Sequence, residues 1–284
     1  MNKVIACVDG AAYTANVCDY ATWAAQRLAV PLEFLHVLDR HPERAPVTDY
    51  SGSIGLGTQE SLLQELGALD EKRSTLAQRH GRELLDGLVA RAKEAGLAAV
   101  ESRQRHGSLV EALLDLEAES RLFVLGQHHH AEQGVKLHLD HNVERAIRSV
   151  QRPVLVARAN YLEPKRFVIA FDGSPTGRKM VATVASSPLL KGLRCDVVMA
   201  GETTAEVQNQ LAWARTSLLD AGFEVQASIE PGEPETALPN YLKVYSADLL
   251  VMGAYGHSRI RQLIVGSTTT TLLRTSPVPV LVHR

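Results

Sequence analysis

The residues of this sequence best suited to chemistry stand near its end. Gly253, Gly256 and Gly266 are spaced G-x2-G-x9-G and run straight into Ser267 and Thr268. Glycine lets backbone N–H groups come close to a ligand, and a following helix N-terminus adds unpaired donors and a dipole that favours anions. That combination is the chemistry of a phosphate cradle for a nucleotide. It is not of the Walker type, because no Gly-Lys-Ser/Thr follows. Phosphate charge then falls to backbone N–H groups, to the Ser267 and Thr268 hydroxyls, to His257 or Arg259, and to Mg2+ carried in with the nucleotide. The plainer alternative is a strand-to-helix connection with incidental glycines. Asp172, in Asp172-Gly173-Ser174, is a second candidate, since an Asp after a strand caps the next helix or closes an Asx turn and can also wall a pocket. A third group is His128-His129-His130, with His106, His138 and His141 nearby. Consecutive residues cannot all aim at one ion, and no Cys or Asp/Glu spacing supports a closed tetrahedral site, so this run reads as an exposed polar loop and no metal site is expected.

The elements that must position these residues come in two copies. The apolar runs 4–8 and 167–171 both stop at Asp-Gly, at Asp9-Gly10 and Asp172-Gly173, and both lead into helix-compatible sequence, 14–28 and 176–187. Second strands follow at 32–38 and 195–200, and third strands near 98–102 and 223–229. Ser108 opens a helix with a capping-box pattern, and Pro234 takes the first-turn position of its counterpart. Leu122-Phe123-Val124-Leu125-Gly126 matches Leu249-Leu250-Val251-Met252-Gly253, and both halves close on Pro-Val-Leu-Val, at 153–156 and 279–282. From Gly126 to Pro153 is 27 positions and from Gly253 to Pro279 is 26, so the register holds almost without gaps. Asp9 to Gly126, however, is 117 positions against 81 from Asp172 to Gly253, which gives the first half an insert around 41–79. There, 42–57 reads as a Gly/Pro/Ser-rich loop, and leucines at helical spacing beyond it predict an enlarged helix in two pieces.

Buried-type strands alternating with helices predict two tandem, open, parallel-sheet, doubly wound (Rossmann-like) α/β domains, over 1–158 and 165–284. Ligands of such sheets sit at the carboxyl ends of the strands where strand order reverses. If strands one and four of the second domain flank that point, Asp172 and the glycine loop are two walls of one pocket. The Pro-Val-Leu-Val strands are apolar edges that must be covered or paired, and pairing within one chain would make a pseudo-dimer.

The composition is ordinary, 45% hydrophobic and 22% charged with a formal net charge of −2, which gives no ground for a nucleic-acid or membrane partner. No signal-peptide pattern or membrane-length apolar run is present, so a cytoplasmic protein is expected. Cys7, Cys18 and Cys195 are odd in number, far apart and in apolar surroundings, as buried reduced thiols are.

With those residues in place, the chain resembles the universal stress protein family in its tandem form. The resemblance rests on Gly253-x2-Gly256-x9-Gly266-Ser267, on Asp172-Gly173-Ser174 and on the two Pro-Val-Leu-Val endings. It implies an adenine nucleotide alpha hydrolase-like fold and one ATP site, with Mg2+. Asp172 would meet the adenine or ribose, Ala200 and Met252 would line the base pocket, and Gly253, Gly256, Gly266, Ser267 and Thr268 would hold ribose and phosphates. The first domain departs from the pattern: Asp140 stands where Gly266 does, His141 where Ser267 does, and His129 where Gly256 does. A carboxylate there repels phosphate, and Cβ atoms restrict the loop. The first domain is thus expected to keep the fold without the triphosphate site. Apart from Arg259 there is no water-orienting or arginine-finger candidate, which favours a nucleotide-binding sensor with a protein partner over a slow ATPase or nucleotide-transfer enzyme. A scaffold whose first-domain insert takes a protein or lipid-like ligand, and a homodimer, are the remaining alternatives.

Overall fold

The computed structural model describes residues 2–38, 56–127, 141–254 and 267–284, and for 56–64, 141–142 and 267 the backbone alone. The first half runs β1 (Lys3–Cys7), α1 (Thr14–Leu28), β2 (Leu32–Leu38), α2 (Leu56–Glu94), β3 (Val100–His106), α3 (Leu109–Leu116), β4 (Ser120–Gly126), α4 (His141–Ser149) and β5 (Val154–Ala157). The second runs β6 (Arg166–Ala170), α5 (Pro175–Ser186), a 3-10 turn (Pro188–Leu190), β7 (Arg194–Ala200), α6 (Ala205–Asp220), β8 (Glu224–Glu230), α7 (Pro234–Val244), β9 (Leu249–Gly253), α8 (Ser267–Thr275) and β10 (Val280–His283).

The ten strands form one sheet in the order β3-β2-β1-β4-β5-β10-β9-β6-β7-β8. All neighbours are parallel except β5 and β10, which pair antiparallel through Val154 with Val282, Leu155 with Leu281 and Val156 with Val280. The two Pro-Val-Leu-Val endings therefore cover each other, and Leu155 and Leu281 sit at the centre of a pseudo-two-fold relation. Because both sheet faces carry helices, the central strands read as unbroken apolar runs rather than alternating ones. On one face a single apolar cluster extends through both halves, from Trp23 and Ala24 on α1 to Met180 and Val184 on α5 and Leu218 on α6. The other face is packed by α3, α4, α7 and α8, with Leu113, Ile147, Leu242 and Leu272 among its buried residues.

Three expectations need correction. The insert is not two helical pieces, because α2 is a single helix of 39 residues, and its stretch 39–55 lies outside the described residues. No proline interrupts it, and Cβ atoms at Gly67 and Gly87 would meet nothing within 4 Å, so those glycines weaken the helix without breaking it. Gly81 has a different reason, since a Cβ there would lie 2.2 Å from Gln104 Nε2 and 2.6 Å from His36 Cδ2. The helix leans on the β2 and β3 ends at that residue. Strand β3 also runs to His106 and not to 102, because its polar residues stay in register with β2 as far as the Leu38–His106 pair, while its other edge has no strand partner among the described residues. Its counterpart β8 extends one residue further than expected, to Glu230, in register with Ala200.

The repeat reaches into buried electrostatics that the apolar pattern hides. Glu33, one residue into β2, is 1% exposed and pairs with Lys3 Nζ at 2.7 Å, while Asp196 in the matching place on β7 is 2% exposed and pairs with Arg166 at 2.8 Å. Each half thus ties the start of its first strand to its second through one buried ion pair. The segment joining the halves is fastened to α1, with the Tyr161 N–H donating to Asn16 Oδ1 at 3.1 Å and the Tyr20 and Tyr161 rings 4.8 Å apart, edge to face. The three cysteines are free, and burial raises all three thiols, Cys18 to about 11, which leaves them unreactive. Among the described residues no helix is long and apolar enough to cross a membrane.

Candidate functional site

In the second half, β6 leads through α5 to β7 on one side of it, while β9 lies on its other side. The reversal of strand order therefore falls between β6 and β9, which pair from Phe167–Leu249 to Ala170–Met252. Asp172 stands two residues beyond the end of β6, and Gly253 closes β9. They therefore stand at the carboxyl ends of two adjacent strands, which is the adjacency the repeat pattern required of a shared pocket.

Asp172 closes an Asx turn, its Oδ1 accepting from the Ser174 N–H at 3.0 Å. It is not the helix cap. That role belongs to Ser174, whose Oγ accepts from the Gly177 N–H at 3.0 Å with Pro175 at the first helical position. Asp9 makes the same turn in the first half, accepting from the Ala11 N–H at 2.9 Å, but there Tyr13 stands at the cap and makes no side-chain cap bond. Helix α5 approaches the crevice closely because Gly177 lacks a side chain. A Cβ there would sit 2.6 Å from Asp172 Oδ1 and 3.2 Å from Phe171 Cδ2. At Gly253 a Cβ would make only ordinary contact, 3.4 Å from Thr176 Cγ2, whereas at Gly126 in the first half it would lie a tighter 3.1 Å from Val17 Cγ2. Packing thus gives a reason for the glycine in the first half but not for Gly253.

Of the other predicted residues, Ala200 ends β7, half-buried, and Met252 is 5% exposed in the core layer beneath the crevice, next to Ala170 in register. Ser267 begins α8, and the Thr268 hydroxyl donates to Glu235 Oε1 in the first turn of α7. Gly256 and Gly266 lie outside the described residues, as do His257, Arg259, the His128-His129-His130 run and Asp140. Sequence reasoning missed Gly177 and Glu235, whose only signals are a glycine early in a helix and an acid in a helix's first turn. It also missed a flank of the crevice where Phe171 stacks on Trp213 at 6.0 Å and the Arg178 guanidinium lies over the indole at 4.6 Å. Among the described residues no cluster of three or more His, Cys, Asp or Glu could hold a metal ion. In the first half, Gln127 occupies the place of Ala254 and is 1% exposed, with both amide atoms lacking a partner among the described residues.

The model of the universal stress protein family matches residues 1–158 and 163–284. The universal stress protein Slr1230 of Synechocystis is 33% identical to this chain over 287 residues, covering 100% of both. The universal stress protein MJ0577 of Methanocaldococcus jannaschii is 27% identical over 84 residues, 30% of this chain and 52% of that protein. Among solved structures, a universal stress protein from Archaeoglobus fulgidus superposes with a TM-score of 0.72 at 18% identity, over 100% of this chain and 96% of that one. Two matched segments and one sheet with two strand-order reversals describe the same duplication from sequence and from geometry.

Proposed function

The chain belongs to the universal stress protein family, and from that premise we propose that it is a cytoplasmic regulatory protein whose second half binds ATP and whose first half serves structure or a protein partner. The supporting observation is that Asp172 and Gly253 end adjacent strands at the point of reversal, with α5 drawn against them by Gly177. The described wall fits a nucleoside. Glycine keeps it free of Cβ atoms at two points, and a carboxylate has two oxygens with about four acceptor positions, so the bond from Ser174 leaves Asp172 able to accept from a ribose hydroxyl or an adenine amine. The phosphates fall to Gly256, Gly266 and the first turn of α8, where aligned N–H groups meet anions. Thr268 would exchange its bond to Glu235 for one to the ligand. Bound Mg2+ would add positive charge on the phosphates to whatever His257 or Arg259 supplies, since the loop has no Walker lysine.

Binding in this reading is recognition and not turnover. The test is calorimetric titration of purified protein with Mg-ATP beside a Gly266→Asp variant, which copies Asp140 of the first half. Saturable binding that falls at least about tenfold in the variant, with no phosphate release at ordinary enzyme rates, is the expected result. No binding by the parent protein, or equal binding by both, overturns the nucleotide reading, and rapid phosphate release overturns recognition as the purpose.

A further inference from the structure

Where the two halves meet, on the face covered by α1 and α5, a partly enclosed cavity of about 210 Å³ opens. Its interior is apolar, formed by Leu28 at the end of α1, Val184 on α5, Leu122 and Leu281 from the sheet, and Leu190 of the 3-10 turn. An apolar cavity of roughly 150 Å³ accommodates a benzene ring, so this one has room for a ring or a short alkyl chain. The serine and threonine hydroxyls that line it are already engaged: Thr183 donates to the Lys179 carbonyl at 2.9 Å, Ser186 to the Thr183 carbonyl at 3.1 Å, and Ser187 accepts from the Leu189 N–H at 3.3 Å.

Three other lining groups have polar capacity to spare. Arg121 is exposed at the mouth and has no ion pair among the described residues. Arg152 donates through Nε to the Glu117 carbonyl at 3.2 Å, while the Glu117 carboxylate is turned to the backbone N–H groups of Gln151 and Arg152. His283 is 7% exposed, and its Nε2 is buried with no partner among the described residues. Burial, aided by Lys179, keeps that imidazole neutral down to about pH 4, so it is a hydrogen-bonding group and not a charge. No carboxylate is among the lining residues. An apolar interior and two guanidinium groups together select against cations and against wholly apolar ligands.

We propose that this cavity binds a small amphipathic carboxylate, an aromatic or short-chain acid whose body fills the leucine-lined interior beside the His283 ring and whose carboxylate meets Arg121 and Arg152. The site is built from both halves, so neither half alone contains it, and its His283 is the strand partner of Gly253.

Benzoate and hexanoate titrated into the full-length protein test this, with benzamide as the uncharged control and the His283 imidazole resonances as the local reporter. Benzoate should saturate with a Kd of about 1 mM or tighter, shift the His283 signals, and bind at least about tenfold more tightly than benzamide. Arg121→Gln, at an exposed position that leaves the fold intact, should weaken benzoate about tenfold, and joint replacement with Arg152→Gln should weaken it further. His283→Phe should fill the cavity and abolish binding. No saturation by about 20 mM benzoate, binding that leaves His283 unmoved, equal affinity for benzamide, or unchanged affinity in the arginine variants overturns the proposal.

Discussion

Asp172 separates two roles that one carboxylate can hold. Its Oδ1 closes a turn, and an asparagine would close the same turn, whereas only the charge is needed by a ligand donor at its other positions. Asp172→Asn should therefore leave thermal stability within about 0.5 kcal/mol of the parent while Mg-ATP affinity falls about tenfold, as melting curves and calorimetry would show. Asp172 was legible because Asp-Gly follows an apolar run twice. Gly177 was not, because nothing in a helical sequence says which of its residues will rest on the end of a neighbouring strand. His283 gives a residue-scale prediction with a definite sign. Its folded pKa of about 4 lies below the ordinary 6.5, so the unfolded chain holds the proton more tightly. The native state keeps its full advantage above pH 6.5 and loses it as the pH falls toward 4, by about 3 kcal/mol at the lower end. Denaturation curves between those pH values should show this loss in the parent and a smaller one in His283→Leu.

Among the elements, the strands and the short helices were set by period and punctuation, so α1 and β2 fall where their apolar residues put them. The long helix α2 was not, because a glycine in a helical pattern reads alike whether it marks a break, an open face or a close contact. The three interior glycines separate those cases by experiment. Gly87→Ala should stabilise the protein by about 0.5–1 kcal/mol, since its Cβ meets nothing. Gly81→Ala should instead destabilise it by about 1–3 kcal/mol, because the new methyl must displace Gln104 and the ring of His36, whose Nδ1 is 2.7 Å from the Val8 carbonyl. Urea melts of the two variants would settle the difference, and a loss of stability in both would mean that α2 has less room than described. The paired carboxylates Glu33 and Asp196 were present in the sequence as charges inside apolar runs, but their cations are on other strands, Lys3 and Arg103 for Glu33 and Arg166 for Asp196, and the partnership became visible only when the register was known.

At the scale of the molecule, the β5–β10 pairing makes one sheet of two domains. A fragment of residues 163–284 would carry β10 as an uncovered apolar edge with the sequence Val-Leu-Val, and unpaired edges of that kind recruit another strand. The fragment should therefore be dimeric in sedimentation at micromolar concentration, and the same fragment with Val282→Pro, which removes a donor on the edge that faces β5 in the whole chain, should not be. A monomeric parent fragment would mean that the seam depends on α1 and the joining segment and not on the strand pair. The duplication itself was legible, since the two halves share Asp-Gly turns and terminal motifs. The cavity between them was not, because it is lined by residues from α1, β4, α5, the 3-10 turn, β10 and the loop before β5, which no local pattern associates.

That seam also has a hereditary consequence. When two identical subunits meet through such an edge, every change in the gene is expressed on both sides of the axis, and a substitution that suits one site alters the other. Here the axis passes between different segments of a single reading frame, at Leu155 and Leu281. Asp140 stands in one copy where Gly266 stands in the other, a difference that two identical subunits could not carry, and the two halves remain in a fixed one-to-one ratio.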